Sequence, residues 1–342
     1  MGRTLYVSQQ DCYLSLDQEL LVVKRAGITL QQAQLPHLDQ ILIFGHAQVT
    51  TQLIQSCLQR NIPIAYLSRM GYCYGRLQPI QRGQRVLQEL QMHLTPQRKL
   101  ETARQILKAK VHNGRILLLR QRRRKPQVSG EKIALLQKLH DDMDSAQTID
   151  QLMGLEGAAA AIYYPTLGEC LTQVGFEFTT RSRRPPQDPV NAMLSFGYQL
   201  LWNHILLLIE LQGLDPYQGC LHTSHHNHPC LASDLIEEFR APLIDSLVLW
   251  LINTGVMDPF EDFTDEVEGC LLTQSGRTKF LQAFIQRMED TVQPPNATHH
   301  WREQDPDTEE GIPRWDLVNR QVQIYRQFVG NQLPFYTPYG IR

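Results

Sequence analysis

The pattern of apolar residues changes character near residue 80, and this change constrains the fold more than any other feature. Before it, short runs of β-branched and apolar residues alternate with polar turns, which is typical of strands. A single segment, Val49–Gln59, has helical spacing instead. The predicted strands are Thr4–Ser8, Cys12–Leu16, Glu19–Lys24, Gln40–Phe44, Ile62–Leu67 and Tyr72–Leu77.

After residue 95 the apolar spacing becomes that of long helices, and Thr95-Pro96 is a typical helix start. The predicted helices are Pro96–His112, Ile116–Arg124, Glu131–Met143, Ile149–Tyr164, Pro189–Leu211 and Ala232–Asn253. We therefore expect an α+β chain. Its parts are a small β-rich domain (1–80), a linker (81–95) and a larger all-α-helical domain (96–342) with an extended, non-helical C-terminal tail.

Cysteine usage and hydropathy indicate the environment of the chain. The seven cysteines are scattered and form no CxxC pair, which argues against a disulfide framework and favours a reducing cytoplasm. The first ten residues lack the apolar core of a signal peptide. The most apolar stretch, Leu194–Leu211, is interrupted by polar residues, so we expect a buried helix there and not a membrane span.

The net charge of −2 conceals two oppositely charged regions. Between Arg98 and Lys125 there are eleven Lys/Arg and one acid, whereas Val256–Glu310 has thirteen Asp/Glu and four Lys/Arg. A concentrated basic element can lie on phosphates, although a solvated helix face has the same composition.

Glu156 is the lone charge in the small, apolar run from Gly154 to Pro165. A carboxylate in such surroundings is costly to desolvate without a cation or hydrogen bonds. The flanking glycines and alanines form a helix face that another helix or a DNA backbone can approach. A functional role for Glu156 is favoured over that of a surface glutamate.

A second group of candidate residues lies in the loop around His222 and the helix that follows it. Asp234 and Glu237 are three residues apart and share a helical face, and Glu238 is also within reach of Asp234. One imidazole and two carboxylates suit Mg²⁺ or Mn²⁺, which can polarise a phosphoryl oxygen or activate a hydroxyl. Spacing alone does not say which of the three carboxylates joins Glu156 and His222.

The same loop permits a zinc site or no site at all. Its candidate zinc ligands have no regular spacing, which makes zinc the weaker alternative. These residues are Cys220, His222, His225, His226, His228 and Cys230. A polar loop with incidental histidines is the preferred interpretation for His225, His226 and His228.

Three arginines, Arg181, Arg183 and Arg184, precede a helix start marked by Asp188-Pro189. Arginines beside a helix N-terminus suit phosphate contacts, and structural ion pairing is the alternative.

Three ordered motifs resemble those of the CRISPR-associated adaptation integrases, the "Cas-one" proteins. The motifs are Gly154–Gly157 around Glu156, Arg183–Tyr198, and Leu221-His222 followed by Asp234–Arg240. In the N-terminal part, Gln40–Gly45 and Ile62–Leu67 fit as well. The resemblance spans nearly the whole chain.

The resemblance implies a β-rich dimerisation domain, a helical catalytic domain and a metal-dependent integrase. Glu156, His222 and Glu237 would be both the catalytic residues and the ligands of Mg²⁺ or Mn²⁺. Asp234 would support the ligands or occasionally join them. The third ligand is Asp in some members, and the many histidines around His225 depart from the family pattern.

The implied reaction is DNA transesterification that inserts prespacer 3′-OH ends into the CRISPR repeat, with endonuclease activity at the same site. The implied partners are double-stranded DNA, a second copy of the chain and a dimer of the smaller "Cas-two" protein. A catalytically inactive DNA-binding subunit and a zinc-stabilised nucleic-acid-binding protein are the alternatives. The predicted DNA-binding residues are Arg120, Arg122, Arg123, Arg124, Lys125, Tyr163, Arg181, Arg183 and Arg184; Tyr163 and its neighbour Tyr164 are equally consistent with a core position.

Overall fold

In the computed structural model, the chain divides into two compact units, Met1–Arg82 and Gly83–Arg342. The described residues are 3–7, 9–68, 73–79, 84–222, 228–266, 269–292 and 311–341. The expected linker, 81–95, is not a linker throughout, because helix α2 (Arg85–Met92) lies inside it. Buried Gln91 ties this helix to the loop of Asp215 by hydrogen bonds in both directions, a long-range contact that spacing cannot reveal.

The described residues of the first unit form two four-stranded sheets and one α-helix, α1, over Thr51–Gln59. One sheet has the order β1-β5-β7-β8, with β8 antiparallel to β7 and the other pairs parallel. The other has the order β4-β3-β2-β6. The strands are β1 Arg3–Val7, β2 Cys12–Asp17, β3 Leu20–Arg25, β4 Ile28–Gln34, β5 Leu38–Phe44, β6 Ala47–Val49, β7 Ile64–Leu67 and β8 Cys73–Leu77.

The six predicted strands correspond to β1, β2, β3, β5, β7 and β8, although Ser8 and Tyr72 lie outside the described residues. Strand β4 was missed because it is mostly polar and exposed. It forms through a tight hairpin with β3, in which Ala26 and Gly27 both adopt positive φ. Leu14, Leu21, Val23 and Ile41 are fully buried in the apolar core of this unit.

The second unit is mainly helical. Its helices are α2, α3 Pro96–Arg122, α4 Gly130–Asp142, α5 Ile149–Gly168, α6 Pro189–Leu211, α7 Cys230–Leu235, α8 Ser246–Asn253, α9 Gln274–Glu289 and α10 Arg314–Val329. Short 3₁₀ turns cover Leu35–His37 in the first unit and Met143–Ser145 in the second. Two predicted caps are confirmed: Thr95 accepts a hydrogen bond from Arg98 N, and Asp188 accepts one from Asn191 N.

The expectation of an all-α-helical second domain is wrong in detail. Strands β9 (Phe263–Glu266) and β10 (Gly269–Leu272) pair as an antiparallel ribbon. A second, shorter ribbon joins β11 (Thr291–Val292) to β12 (Ile312–Pro313). Residues 332–341 are non-helical, as predicted for the tail.

Two predicted helices, Pro96–His112 and Ile116–Arg124, form a single helix in the structure, and one predicted helix, Ala232–Asn253, is divided into several segments. Helix α3 runs unbroken through Asn113-Gly114. Tyr163 of α5 packs so closely against Gly114 that an added Cβ would lie 2.8 Å from the tyrosine ring. The predicted helix Ala232–Asn253 is instead α7, a turn, a π-helical segment over Arg240–Asp245, and α8. Glu237 and Glu238 lie in the turn, so their side chains can point in different directions.

Helix α6 has the length and hydropathy of a membrane span, but 83% of its most apolar window is buried within the protein. Its core position explains this composition.

Candidate active site

Glu156 lies near the middle of α5, a helix capped by Thr148, which accepts a hydrogen bond from Gln151 N. Its side chain is only 16% exposed, and its Oε1 lies 2.5 Å from the ammonium of Lys110 on α3. The predicted need of this carboxylate for a cation is thus satisfied by a lysine of the neighbouring helix.

Glu237 approaches the same lysine from the turn after α7. Its Oε2 lies 2.8 Å from Lys110 Nζ, and its Oε1 lies 3.1 Å from Arg240. Burial alone would raise the pKa of Glu237, but the charges of Arg240 and Lys110 outweigh it and bring the pKa to about 2. Burial by itself would lower the pKa of Lys110, because it disfavours the charged ammonium. The charges of Glu237 and Glu156 outweigh this effect, so the pKa of Lys110 is raised. The site therefore contains two carboxylates and two basic side chains within ion-pairing distance of one another.

Asp234 organises the loop that carries His222. Its fully buried carboxylate accepts hydrogen bonds from the backbone amides of Cys220, Leu221 and His222. Its Oδ1 also lies 2.7 Å from His222 Nδ1. Burial lowers the pKa of His222, but the hydrogen bond and charge of Asp234 raise it overall. Because Asp234 holds Nδ1, Nε2 is the imidazole nitrogen left to bind a ligand, as in carboxylate–histidine pairs behind metals.

Two of the three predicted ligands, Glu156 and Glu237, are brought together around Lys110, and His222 is close enough to affect the pKa of Glu237. Within the described residues, no group of three or more His, Cys, Asp or Glu side chains is positioned to hold a metal ion. The ligand assignment stays a prediction.

The donor chemistry of these residues nevertheless fits a divalent cation. Glu237 Oε2 is buried, and among the described residues it has no hydrogen bond of good geometry, although Lys110 Nζ is 2.8 Å away. A buried carboxylate oxygen in this state is suited to a metal ligand.

Glu238, the neighbour of Glu237, points elsewhere. Its carboxyl group accepts hydrogen bonds from the Tyr336 hydroxyl and the Tyr339 amide of the C-terminal tail. Burial raises the pKa of Glu238 to about 8. It fastens the tail and is not available to the site.

A tyrosine-lined cavity adjoins the carboxylates. It is bordered by Lys110, Glu156, Tyr163, Tyr198 and Asp245, among others. Tyr163 and Tyr198 donate hydrogen bonds to the two oxygens of Asp245, at 2.6 and 2.5 Å. This geometry favours the core alternative for Tyr163.

Sequence reasoning missed Lys110, Arg240, Tyr198 and Asp245. Lys110 lies in the basic stretch Arg98–Lys125, and composition does not distinguish it from the other basic residues there. Arg240 follows Glu237 at a spacing of three residues, which on a helix allows an ion pair, and this spacing could have identified Arg240 from the sequence.

The geometry around the two loop cysteines does not favour zinc. Cys230 Sγ donates to Tyr217 O at 2.9 Å, and Cys220 Sγ lies 3.4 Å from Tyr325 OH. Burial raises the pKa of the Cys220 thiol to about 12. His225 and His226 lie outside the described residues. His228 stacks on Trp202, with its Nε2 2.7 Å from Ser233 Oγ.

The predicted DNA-binding residues fall into two groups. Arg181 and Lys125 serve the fold: Arg181 hydrogen-bonds Asn191 and Ser195, and Lys125 donates to Cys170 O. The remaining arginines are exposed and accessible to a ligand. They are Arg120, Arg122, Arg123, Arg124, Arg183 and Arg184.

Comparison with known proteins identifies relatives over the whole chain. The family model described as "CRISPR associated protein Cas1" matches residues 5–286. A CRISPR-associated exonuclease Cas4/endonuclease Cas1 fusion of Geobacter sulfurreducens is 34% identical over 100% of this chain and 61% of the relative. The chain thus spans less than two thirds of that fusion. A CRISPR-associated endonuclease Cas1 of Thermus thermophilus is 33% identical, over 99% of this chain and 97% of the relative.

Solved structures share the fold. A casposase bound to its integration product superposes with a TM-score of 0.83 at 19% identity, covering 100% of this chain and 95% of that one. A chain of a Cas6-RT-Cas1–Cas2 complex gives a TM-score of 0.79 at 23% identity, covering 98% of this chain and 36% of that one.

Proposed function

The chain belongs to the Cas1 family of CRISPR-associated proteins, and from this premise we propose that it is an adaptation integrase. It joins the 3′-hydroxyl of a prespacer strand to the CRISPR repeat by transesterification, and it cuts DNA when water takes the place of that hydroxyl. One phosphodiester bond breaks as another forms, so the joining step needs no nucleotide cofactor.

The observation that carries this proposal is the meeting of Glu156 and Glu237 around one cation position, with His222 held beside them by Asp234. These residues come from three separate segments of the chain. The approach of the two glutamates to one partly buried cation supports a phosphoryl-transfer site, since such catalysis depends on positioning and charge neutralisation.

We assign Glu156, His222 and Glu237 as the ligands of Mg²⁺ or Mn²⁺, with Asp234 orienting His222. A bound ion of this kind supplies polarisation of the phosphoryl oxygen and activation of the attacking hydroxyl. Asp234 holds the imidazole in a single tautomer, and Arg240 keeps Glu237 ionised.

The surface of α5 beside Glu156 permits close approach of a DNA backbone. Gly154, Gly157, Ala158 and Ala161 lie on one exposed face of the helix. A Cβ added at either glycine would meet no atom within 4 Å. The exposed arginines at the end of α3 and in the loop before α6 add positive charge for phosphates.

The proposed partners are double-stranded DNA, a second copy of the chain and a "Cas-two" dimer. The first unit is proposed to form the dimer contact. Support comes from the shared fold with a casposase bound to its integration product and with a Cas6-RT-Cas1–Cas2 complex.

The test is a strand-transfer assay with a prespacer duplex, a cognate repeat and Mn²⁺ or Mg²⁺. Glu156→Gln and His222→Gln should each reduce joining at least about a hundredfold, as expected when a group that stabilises developing charge is lost. Asp150→Asn, at an exposed position on the same helix as Glu156, and His140→Gln are the matched controls and should join normally. Near-normal joining by either site variant would refute the assignment. Full DNA binding without metal-dependent joining by the unmodified protein would indicate a structural DNA-binding subunit.

A further inference from the structure

Lys110 occupies the centre of the carboxylate cluster. Its ammonium lies 2.5 Å from Glu156 Oε1 and 2.8 Å from Glu237 Oε2, so it bridges carboxylates from α5 and from the turn after α7. A compact point charge that bridges two carboxylates takes the place that a divalent cation would take.

Both oxygens of Glu237 already face a cation, Arg240 on one side and Lys110 on the other. For Glu237 to give an oxygen to a metal ion, one of these cations must yield. Arg240 is held in place, since its guanidinium lies 4.7 Å from the centre of the Tyr198 ring and packs over it. Lys110 has a flexible four-carbon stem and borders a cavity that is also lined by Gly114 and Ala160. It is therefore the cation that can withdraw.

We propose that Lys110 is an internal counter-ion that neutralises Glu156 and Glu237 in the metal-free protein and is displaced when the metal binds. This inference rests on the proposed function, because it takes the two glutamates to be metal ligands. Without Lys110 the metal-free fold would hold a buried carboxylate, Glu237, and a partly buried one, Glu156, that repel each other with one fewer cation between them. With Lys110 in place, the carboxylates are neutralised in the metal-free protein. Metal affinity is lower as a result, because the ion must displace the ammonium.

The experiment compares Mn²⁺ binding by the full chain, measured by titration calorimetry, in the unmodified protein and in Lys110→Gln. Glutamine keeps a hydrogen-bonding group on a side chain one atom shorter than that of lysine and removes its charge. The matched control is Lys108→Gln on the same helix, whose ammonium pairs with Asp144 at 2.7 Å. We expect Lys110→Gln to bind Mn²⁺ about tenfold more tightly, the effect of removing one like charge near the ion at an intermediate dielectric constant. Lys108→Gln should bind Mn²⁺ as the unmodified protein does.

Thermal unfolding provides a second readout that does not depend on activity. Lys110→Gln should unfold at a lower temperature than the unmodified protein in chelator, and Mn²⁺ should raise its midpoint by more. If Lys110→Gln proves too unstable in chelator, Lys110→Arg keeps the charge with a larger, less retractable group and should bind Mn²⁺ more weakly.

Unchanged or weaker Mn²⁺ binding by Lys110→Gln, with normal binding by the unmodified protein, would overturn the inference and leave the proposed integrase site standing. Failure of the unmodified protein to bind Mn²⁺, or binding unaffected by Glu156→Gln, would overturn the metal site itself and the inference with it.

Discussion

Neighbouring carboxylates in the second unit differ in their ionisation because their partners differ. Glu237 faces Lys110 and Arg240, and its pKa falls to about 2. Glu238 is buried with neutral donors, and its pKa rises to about 8. At neutral pH, Glu237 is therefore a charged carboxylate at the site, whereas its neighbour Glu238 is a neutral acid bonded to the tail.

Asp245 provides a residue-scale prediction. Burial raises its pKa to about 6, although Tyr163 and Tyr198 donate to it and Arg240 and Arg181 carry favourable charges. Because the pKa of Asp245 is higher in the folded protein than in the unfolded chain, the proton on Asp245 stabilises the folded protein. This stabilisation is fully present below the unfolded-state pKa of about 4 and is lost as the pH rises through the folded-state pKa of about 6. The free energy of unfolding of the unmodified protein, relative to Asp245→Asn, should fall by about 2 kcal/mol between pH 4 and pH 7, at about 1.4 kcal/mol per pKa unit.

Urea denaturation of both proteins at several pH values measures this difference. A difference that does not depend on pH would show that Asp245 titrates at its ordinary value in the folded protein.

At the scale of elements, α3 carries both Lys110 of the carboxylate cluster and a group of basic residues near its carboxyl end. Lys110 and Asn113 face the interior, and the exposed arginines follow at its carboxyl end. Cations at this end also interact favourably with the helix dipole. One continuous helix thus links the carboxylate cluster to a basic surface.

The basic end of α3 predicts a salt effect. The double variant Arg123→Ala/Arg124→Ala should reduce the slope of log K against log salt concentration by about two for a DNA duplex, since each neutralised phosphate contributes about 0.9 to the slope. The matched control is Lys24→Ala/Arg25→Ala, an adjacent pair of exposed basic residues at the end of β3. The measurement is fluorescence anisotropy from low to moderate salt. Equal slopes for the unmodified protein and the α3 variant would show that these arginines do not bind the DNA phosphates.

At the scale of the whole chain, the C-terminal tail closes onto residues more than 200 positions earlier. Asn113 of α3 donates to Tyr339 O at 2.9 Å and accepts from Ile341 N at 2.9 Å. Tyr336 is 1% exposed and donates to Glu238. The tail is an integral part of the second unit, packed directly behind the residues that form the site.

This packing predicts a large difference between adjacent tail substitutions. Tyr336→Ala should lower the free energy of unfolding by about 3–5 kcal/mol, the usual effect of removing a buried aromatic side chain. Phe335→Ala, at a side chain that is 61% exposed, should change it by less than about 0.5 kcal/mol. Chemical denaturation of the two variants measures the difference, and similar losses would mean that the tail is not clasped as described.

The sequence by itself determined the two-part organisation, most strands and helices, the caps at Thr95 and Asp188, and the candidates Glu156, His222 and Glu237. The elements and caps follow from local periodicity, and Glu156 follows from being a lone carboxylate among alanines, whereas the choice of Glu237 came from the family resemblance. The sequence did not separate Glu237 from Glu238 on physical grounds, since both fitted the expected helix, and it assigned Lys110 no role beyond the basic stretch.

Only the tertiary structure decided these points. The turn after α7 directs Glu237 toward Lys110 and Glu238 toward the tail, and Tyr163 of α5 packs against Gly114 of the continuous helix α3. The physical reason is that these outcomes depend on partners far away in the chain. The charge state and direction of a buried carboxylate are set by the groups it meets after folding, and local spacing carries no information about them.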